Sequence, residues 1–142
     1  MDPVVAHVSG VSLPRAKAHG QSLTQRSMHE LSMAHGIVDQ AVAAATEAHA
    51  ERVVAVHLTI GRLAGVEPGA LLFCFDIACK GTLLEGSRLE IREVPLVVWC
   101  AHCLREVELP GVQSFRCPTC QTPCGEIRQG REMQIESVEI EP

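Results

Sequence analysis

The sequence predicts an α+β fold, a small mixed domain of two helices on a three-stranded antiparallel sheet with a cysteine-rich insert before the last strand. Three observations carry this. Apolar residues recur at helical spacing in two segments, they alternate at period two in three others, and two C-x2-C pairs stand between the second and third of those strand segments. A length of 142 residues suits one ordinary domain, or a core domain with a small metal-held appendage. Hydrophobic residues make up 46%, but aromatics only 3% with no Tyr, so the core must be built from Val, Leu, Ile and Ala.

Residues 1–27 are polar, carry Pro3 and Pro14 and show no sustained periodicity, which predicts a disordered arm or upstream-start extension. Its His7 and His19 are isolated and read as bystanders. From Leu31 to about Ala48 the positions Leu31, Ala34, Val38, Ala41, Val42, Ala45 and Ala48 fall on a helical stripe, weakened locally by Gly36. "RVVAVHLTIG", residues 52–61, then switches to period two: Val54, Val56, Leu58 and Ile60 on one face, Val53, Ala55, His57 and Thr59 on the other.

"GRLAGVEPGALLFCFDIACKG" contains a loop and then a helix opening at Pro68 and stopping at Gly81, with Leu71, Leu72, Phe75, Ala78 and Cys79 as its buried stripe. "SRLEIREV" is the second strand and "REMQIESVEIE" the third. In the last, Met133 and Ile135 are out of phase with Val138 and Ile140, so a bulge is expected near Glu136 or Ser137. Cys74 and Cys79, five apart on the second helix, read as small packing residues.

The insert "CAHCLREVELPGVQSFRCPTCQTPC" carries the strongest chemical signal. Cys100 and Cys103 form one knuckle, Cys117 and Cys120 another, with 13 residues between them. Two such pairs supply four soft thiolates for a tetrahedral Zn(II) site, and metal binding holds together a segment too small to bury a core of its own. A rubredoxin-like iron centre uses the same ligands. Closed four-thiolate sites leave no position for substrate, so the expected zinc is structural and residues 95–130 are expected to form a zinc-binding, ribbon-like domain. Cys124 reads as a spectator thiol, His102 as an exposed loop residue, and Trp99 as a cover for the module or its packing surface against the rest of the chain.

Seven cysteines without a signal peptide fit a cytoplasmic protein with reduced thiols better than a disulfide scaffold, and no apolar run reaches membrane-spanning length. The net charge of −5 argues against general nucleic-acid affinity. Residues 95–130 set Arg105, Arg116 and Arg128 against Glu106, Glu108 and Glu126, a balance of zero, which weakens the alternative of a zinc-ribbon module for nucleic acid or transcription machinery. No nucleophile, base and orienting partner assemble at recognisable spacing, and "GRLAGVEP" lacks the further Gly and Lys of a phosphate loop; an enzyme is not expected.

Ahead of the first helix stands Met28-His29-Glu30, within "SMHELSMAH". An imidazole with neighbouring backbone nitrogens makes a planar, nitrogen-rich set that suits Ni(II) or Cu(II). Taken alone, the tripeptide reads as a helix start, with Glu30 at the positive end of the dipole and His29 incidental. The surrounding motifs alter that reading. "MHELSMAHGIVDQAV", then "VHLTIGRLAGVEPGALLFCFDIACKGTLLEGSRLEI" and the two C-x2-C pairs, resemble the HypA/HybF family of hydrogenase maturation nickel chaperones from Met28 to the C-terminus.

The resemblance implies a nickel-binding α+β domain, here residues 28–94 and 131–142, interrupted by the four-cysteine zinc domain. It implies Ni(II) as transferred cargo at Met28, His29 and Glu30, held by the terminal amine, the His ring and backbone nitrogens, and zinc at Cys100, Cys103, Cys117 and Cys120. The implied partners are a GTPase nickel-insertion accessory protein and the [NiFe] hydrogenase large subunit, and some members also serve urease. One departure matters: 27 residues precede Met28, so in this chain Met28 contributes an amide in place of a primary amine.

Overall fold

The computed structural model describes residues 3–12 and 23–142, and the side chains of residues 3–6 and 29–142. Its elements are β1 (Val4–Ser12), α1 (Leu23–Glu47), β2 (Arg52–Gly61), a 3-10 turn (Arg62–Ala64), α2 (Pro68–Cys79), β3 (Arg88–Val94), β4 (Leu96–Cys100), β5 (Arg105–Leu109), β6 (Glu126–Gln129) and β7 (Met133–Glu141). They build an α+β architecture of two helices and two sheets, one ordered β1-β7-β2-β3 and the other β5-β4-β6.

The larger sheet departs from the expected three-stranded antiparallel one. β3 runs parallel to β2, because α2 lies between them in sequence and a helical crossover returns the chain in its original direction. β7 enters antiparallel between β2 and β1. The fourth strand corrects the expected disorder of the arm for residues 4–12: Val4 to His7 pair with Ile140 to Ser137, and the pairing resumes two residues out of step at Val11 with Ile135. Residues 13–22 lie outside the described residues.

The helices cover one face of this sheet. α1 presents Met33, Ala34, Ile37, Val38, Ala41 and Ala45, and α2 presents Leu71, Cys74, Phe75, Ala78 and Cys79, to Val56, Leu58, Ile60, Ile135 and Val138. Burying the larger of these side chains is worth about 1.5–3 kcal/mol each. Leu72, expected in the stripe, is 41% exposed beside Phe73 and Ile77 on the outer face, and Cys74 takes its place. Glu67 caps α2, its carboxylate accepting from the Ala70 N–H at 2.5 Å, with Pro68 at the first helical position.

Two bulges set which residues face the helices. The register of β2 on β7 skips Val54, so Val53 rather than Val54 joins Val56 in the core. Opposite Leu58, β7 skips Glu136, the expected bulge, and this brings Ile135 and Val138 to the same buried side. The sheet's other face is polar: His57 Nε2 meets Glu139 Oε1 at 2.7 Å, and Arg92 donates to Thr59 Oγ1 at 3.2 Å.

The smaller sheet has its own core of Leu96, Val98, Val107 and Leu109 with Cys100, Cys117 and Cys124. It joins the larger one at a tight crossing of backbones. Gly61 N–H donates to Glu132 O at 2.7 Å and Leu63 N–H to Gly130 O at 2.8 Å, while Arg62 donates to Pro110 O at 3.1 Å. A Cβ on Gly61 would stand 2.0 Å from the Gly130 carbonyl oxygen, so only glycine fits there.

Candidate metal sites

The cysteine site is assembled by two turns of one design. β4 delivers Cys100 at its end, the chain turns through Cys103, and Leu104 takes a left-handed φ of 54°; the second turn runs from Cys117 to Cys120, followed by Gln121 at φ 62°. Each left-handed residue reverses the chain directly after the second cysteine, so both sulfurs of a pair point to the same side. Alternation along β4 puts Leu96, Val98 and Cys100 inward. Trp99 therefore lies on the opposite face from the thiols, where the Arg128 guanidinium stands 5.0 Å from its ring centroid.

Cys100, Cys103, Cys117 and Cys120 form a metal-binding site, their four sulfurs all within 4.8 Å of one another. Cys100 and Cys120 sulfurs are 3.5 Å apart, those of Cys103 and Cys117 3.9 Å apart. Four thiolates about 2.3 Å from a tetrahedral ion stand about 3.8 Å from each other, so the cage has the dimensions of a four-thiolate metal site.

The electrostatics of the cage favour a cation. Cys120 Sγ lies 3.2 Å from Thr122 Oγ1. Hydrogen bonds from the Thr122 hydroxyl and backbone pull the Cys120 thiol down to about 6. Backbone N–H groups of Cys120 and then Thr119 lower Cys117 as well. Cys103, which shares a hydrogen bond with Cys120, is pushed up to about 12. A protonated sulfur beside ionised neighbours is what a cage of like charges requires, and a divalent ion lets all four ionise together.

The second candidate segment is arranged differently. α1 begins at Leu23, so Met28, His29 and Glu30 lie inside the helix and not at its start, and their backbone amides belong to its hydrogen-bond ladder. The reading of Glu30 as a helix-start acid is thereby corrected. His29 is half-buried. Glu30 is only 4% exposed: its Oε1 accepts from the Glu67 N–H at 3.3 Å, and its Oε2 has no hydrogen-bond partner among the described residues. The carboxylate thus ties α1 to the residue just before α2, close enough to Cys74 that burial first and the Glu30 charge second raise that thiol.

Glu67 is a contributor that sequence reasoning missed. Its position before Pro68 marks a helix cap, but nothing local signals a partner 37 residues away. His102 is exposed, as expected of a loop residue, and His35 is exposed on α1. The side chains of His7 and Met28 lie outside the described side chains, and His19 outside the described residues.

The family model described as "Hydrogenase/urease nickel incorporation, metallochaperone, hypA" matches residues 28–140. A hydrogenase maturation factor HypA of Chloroflexus aurantiacus is 54% identical over 112 residues, covering 79% of this chain and 98% of the relative. That of Roseiflexus sp. is 52% identical over 114 residues, covering 80% and 93%. Among solved structures, the solution structure of the Ni metallochaperone HypA from Helicobacter pylori aligns with a TM-score of 0.55 at 19% identity, over 79% of this chain and 97% of that one, a likeness of fold.

Proposed function

The chain belongs to the HypA family of nickel-incorporation metallochaperones in hydrogenase maturation, and on that premise we propose that it captures Ni(II) at Met28, His29 and Glu30 and hands it to a recipient. The observation that carries the proposal is the start of the family match at Met28. In the proposed competent form Met28 presents a free amine, the His29 ring supplies the main side-chain nitrogen, and backbone nitrogens complete a planar set. Nitrogens held in a helical ladder cannot do this. The described helix is then a closed form in which Glu30 secures α1 against Glu67, and opening the Met28 end releases the ligands.

Residues 28–94 and 131–142 make up the proposed nickel-binding domain and 95–130 the zinc-binding domain. Zinc at the four cysteines is structural: it holds β4, β5 and β6 in a shape that partners recognise, while shallow ligation at a chain end lets a recipient replace nickel ligands one at a time. The proposed partners are a GTPase accessory protein and the [NiFe] hydrogenase large subunit, with urease maturation proteins as further recipients, in the reducing cytoplasm. No helix among the described residues is long and apolar enough to cross a membrane.

The test is a Ni(II) titration, by calorimetry and visible absorption, of the full chain beside a form beginning at Met28. Tighter binding with a planar-type spectrum in the shorter form is expected, abolished by His29→Ala with the fold retained. Equal binding in both forms, or normal hydrogenase maturation by the His29→Ala protein, counts against this assignment.

A further inference from the structure

The smaller sheet has a second face, turned away from the thiols. On β4 it carries Val97 and Trp99, both half-buried, and on β5, where Val107 and Leu109 point inward, it carries the exposed Glu106 and Glu108. On β6 Ile127 packs on the core, which leaves Glu126 and Arg128 outside. The register places Trp99 between Glu106 and Glu126, and Val97 beside Glu108. The chain's one tryptophan is thus placed on an outer face, over a core of aliphatic residues and cysteines.

Charge is divided unequally between the two faces. Arg105 donates to Thr119 Oγ1 at 3.0 Å and Arg116 to Gln121 O at 3.1 Å, so both are held at the cysteine turns. Of the three arginines in residues 95–130, only Arg128 stands on the outer face, its guanidinium 5.0 Å from the Trp99 ring centroid and 3.3 Å from Glu126 Oε1. Among the described residues the Glu106 and Glu108 carboxylates have no hydrogen-bond or ion-pair partner. A segment whose sequence charges cancel therefore presents a face with three carboxylates, one guanidinium and an aromatic centre.

We propose that this face docks a basic segment of a partner protein, an extended stretch with arginines at alternate positions; the inference rests on the reading of the chain as a nickel carrier whose small sheet partners recognise. Side chains two apart on a strand lie on one side, about 7 Å from each other. Glu106 and Glu108 are so placed, and an extended segment laid along β5 meets them with every second residue. Arginine suits this face, because its planar guanidinium pairs with a carboxylate and stands over an aromatic ring, as Arg128 does with Glu126 and Trp99. Aromatic and arginine side chains are also the usual anchors of protein interfaces.

The experiment titrates the full chain, supplied with zinc, with a synthetic peptide in which arginine alternates with serine. It reads the emission of Trp99, which no other tryptophan or tyrosine obscures. Saturable binding that shifts the emission is expected. Glu106→Gln with Glu108→Gln should weaken it about fivefold or more, whereas Glu51→Gln with Glu93→Gln, the same charge change at exposed positions elsewhere, should stay within about twofold. Equal weakening in the two variants would reduce the effect to net charge and overturns the docking face. So does an unaltered protein that binds no peptide, or one that takes the glutamate counterpart or a single-stranded oligonucleotide more tightly than the arginine peptide. A Ni(II) titration of the same samples keeps the two readings apart: a chain that binds nickel but no peptide loses only the docking face, and one that binds the peptide but no nickel loses only the nickel assignment.

Discussion

The two sheets of this molecule are held together by different physics. The larger one buries Ile37, Val38, Leu58, Leu71, Phe75, Ile135 and Val138 between helices and strands, enough apolar surface to hold the fold unaided. The smaller one buries only Leu96, Val98, Val107 and Leu109 beyond its cysteines, and three of those cysteines sit where a core would want hydrocarbon. A three-stranded sheet with so small a core depends on what joins its thiols. The difference separates a part held by apolar packing from a part whose four thiols are placed to be joined by an ion.

Stripping metal from the proposed zinc site should have the largest effect. Structural four-thiolate sites contribute on the order of 10 kcal/mol or more to folding. A strong chelator at neutral pH is therefore expected to bring the amides of β4, β5 and β6 to unfolded exchange rates, while those of β2 and β7 stay protected. Hydrogen exchange resolved by segment checks this; equal loss in both sheets would show that they do not fold separately.

The reverse change comes next. Phe75→Ala opens a cavity in the helix-covered core and should cost about 3–5 kcal/mol, read from the denaturant midpoint, with zinc content unchanged. Gly61→Ala strikes the junction instead. With Gly130 O only 2.0 Å from the new methyl, backbone must move, and a loss of about 1–3 kcal/mol or more is expected, shared by both sheets.

Thiol chemistry sharpens the contrast at smaller energy. Burial, and secondarily Asp76, pushes Cys79 up to about 11, while Cys120 is drawn down to about 6 by its Thr122 hydrogen bonds. In metal-stripped protein at pH 7.5, where the small sheet is expected to open, Cys120 is left an accessible thiol while Cys79 stays in the helix-covered core with its thiol raised, so Cys120 should alkylate at least about tenfold faster than Cys79. Cys79 should gain reactivity only as pH rises toward about 11. Similar rates at pH 7.5, measured by mapped labelling, would count against the two environments.

These regions were also unequally legible in the sequence. The cage was readable because C-x2-C spacing encodes a turn, and a turn is local. Helix α2 was readable for the same reason, from Pro68 at one end and Gly81 at the other. What escaped involves distant partners: Val53 replaces Val54 in the core because β2 bulges against β7, and Glu30 is buried because the chain returns at Glu67. The parallel pairing of β3 was implicit in the helix that precedes it. β1 was missed because its small, Gly-interrupted sequence has weak periodicity, and its pairing with β7 supplies what local pattern does not.

The polar face of the larger sheet tests how far its stability rests on the helix side alone. His57 and Glu139 approach to 2.7 Å with side chains 35% and 20% exposed, and Arg88 lies 3.9 Å from the same carboxylate. Solvent screens such a pair, and Arg88 remains to compensate Glu139 if the imidazole is lost. His57→Gln is thus expected to cost no more than about 1 kcal/mol in a denaturant titration, with zinc binding unchanged. A loss as large as that of Phe75→Ala would mean that this face carries weight comparable to the helix-covered core, and that the division between an apolar-held sheet and a metal-held one is drawn in the wrong place.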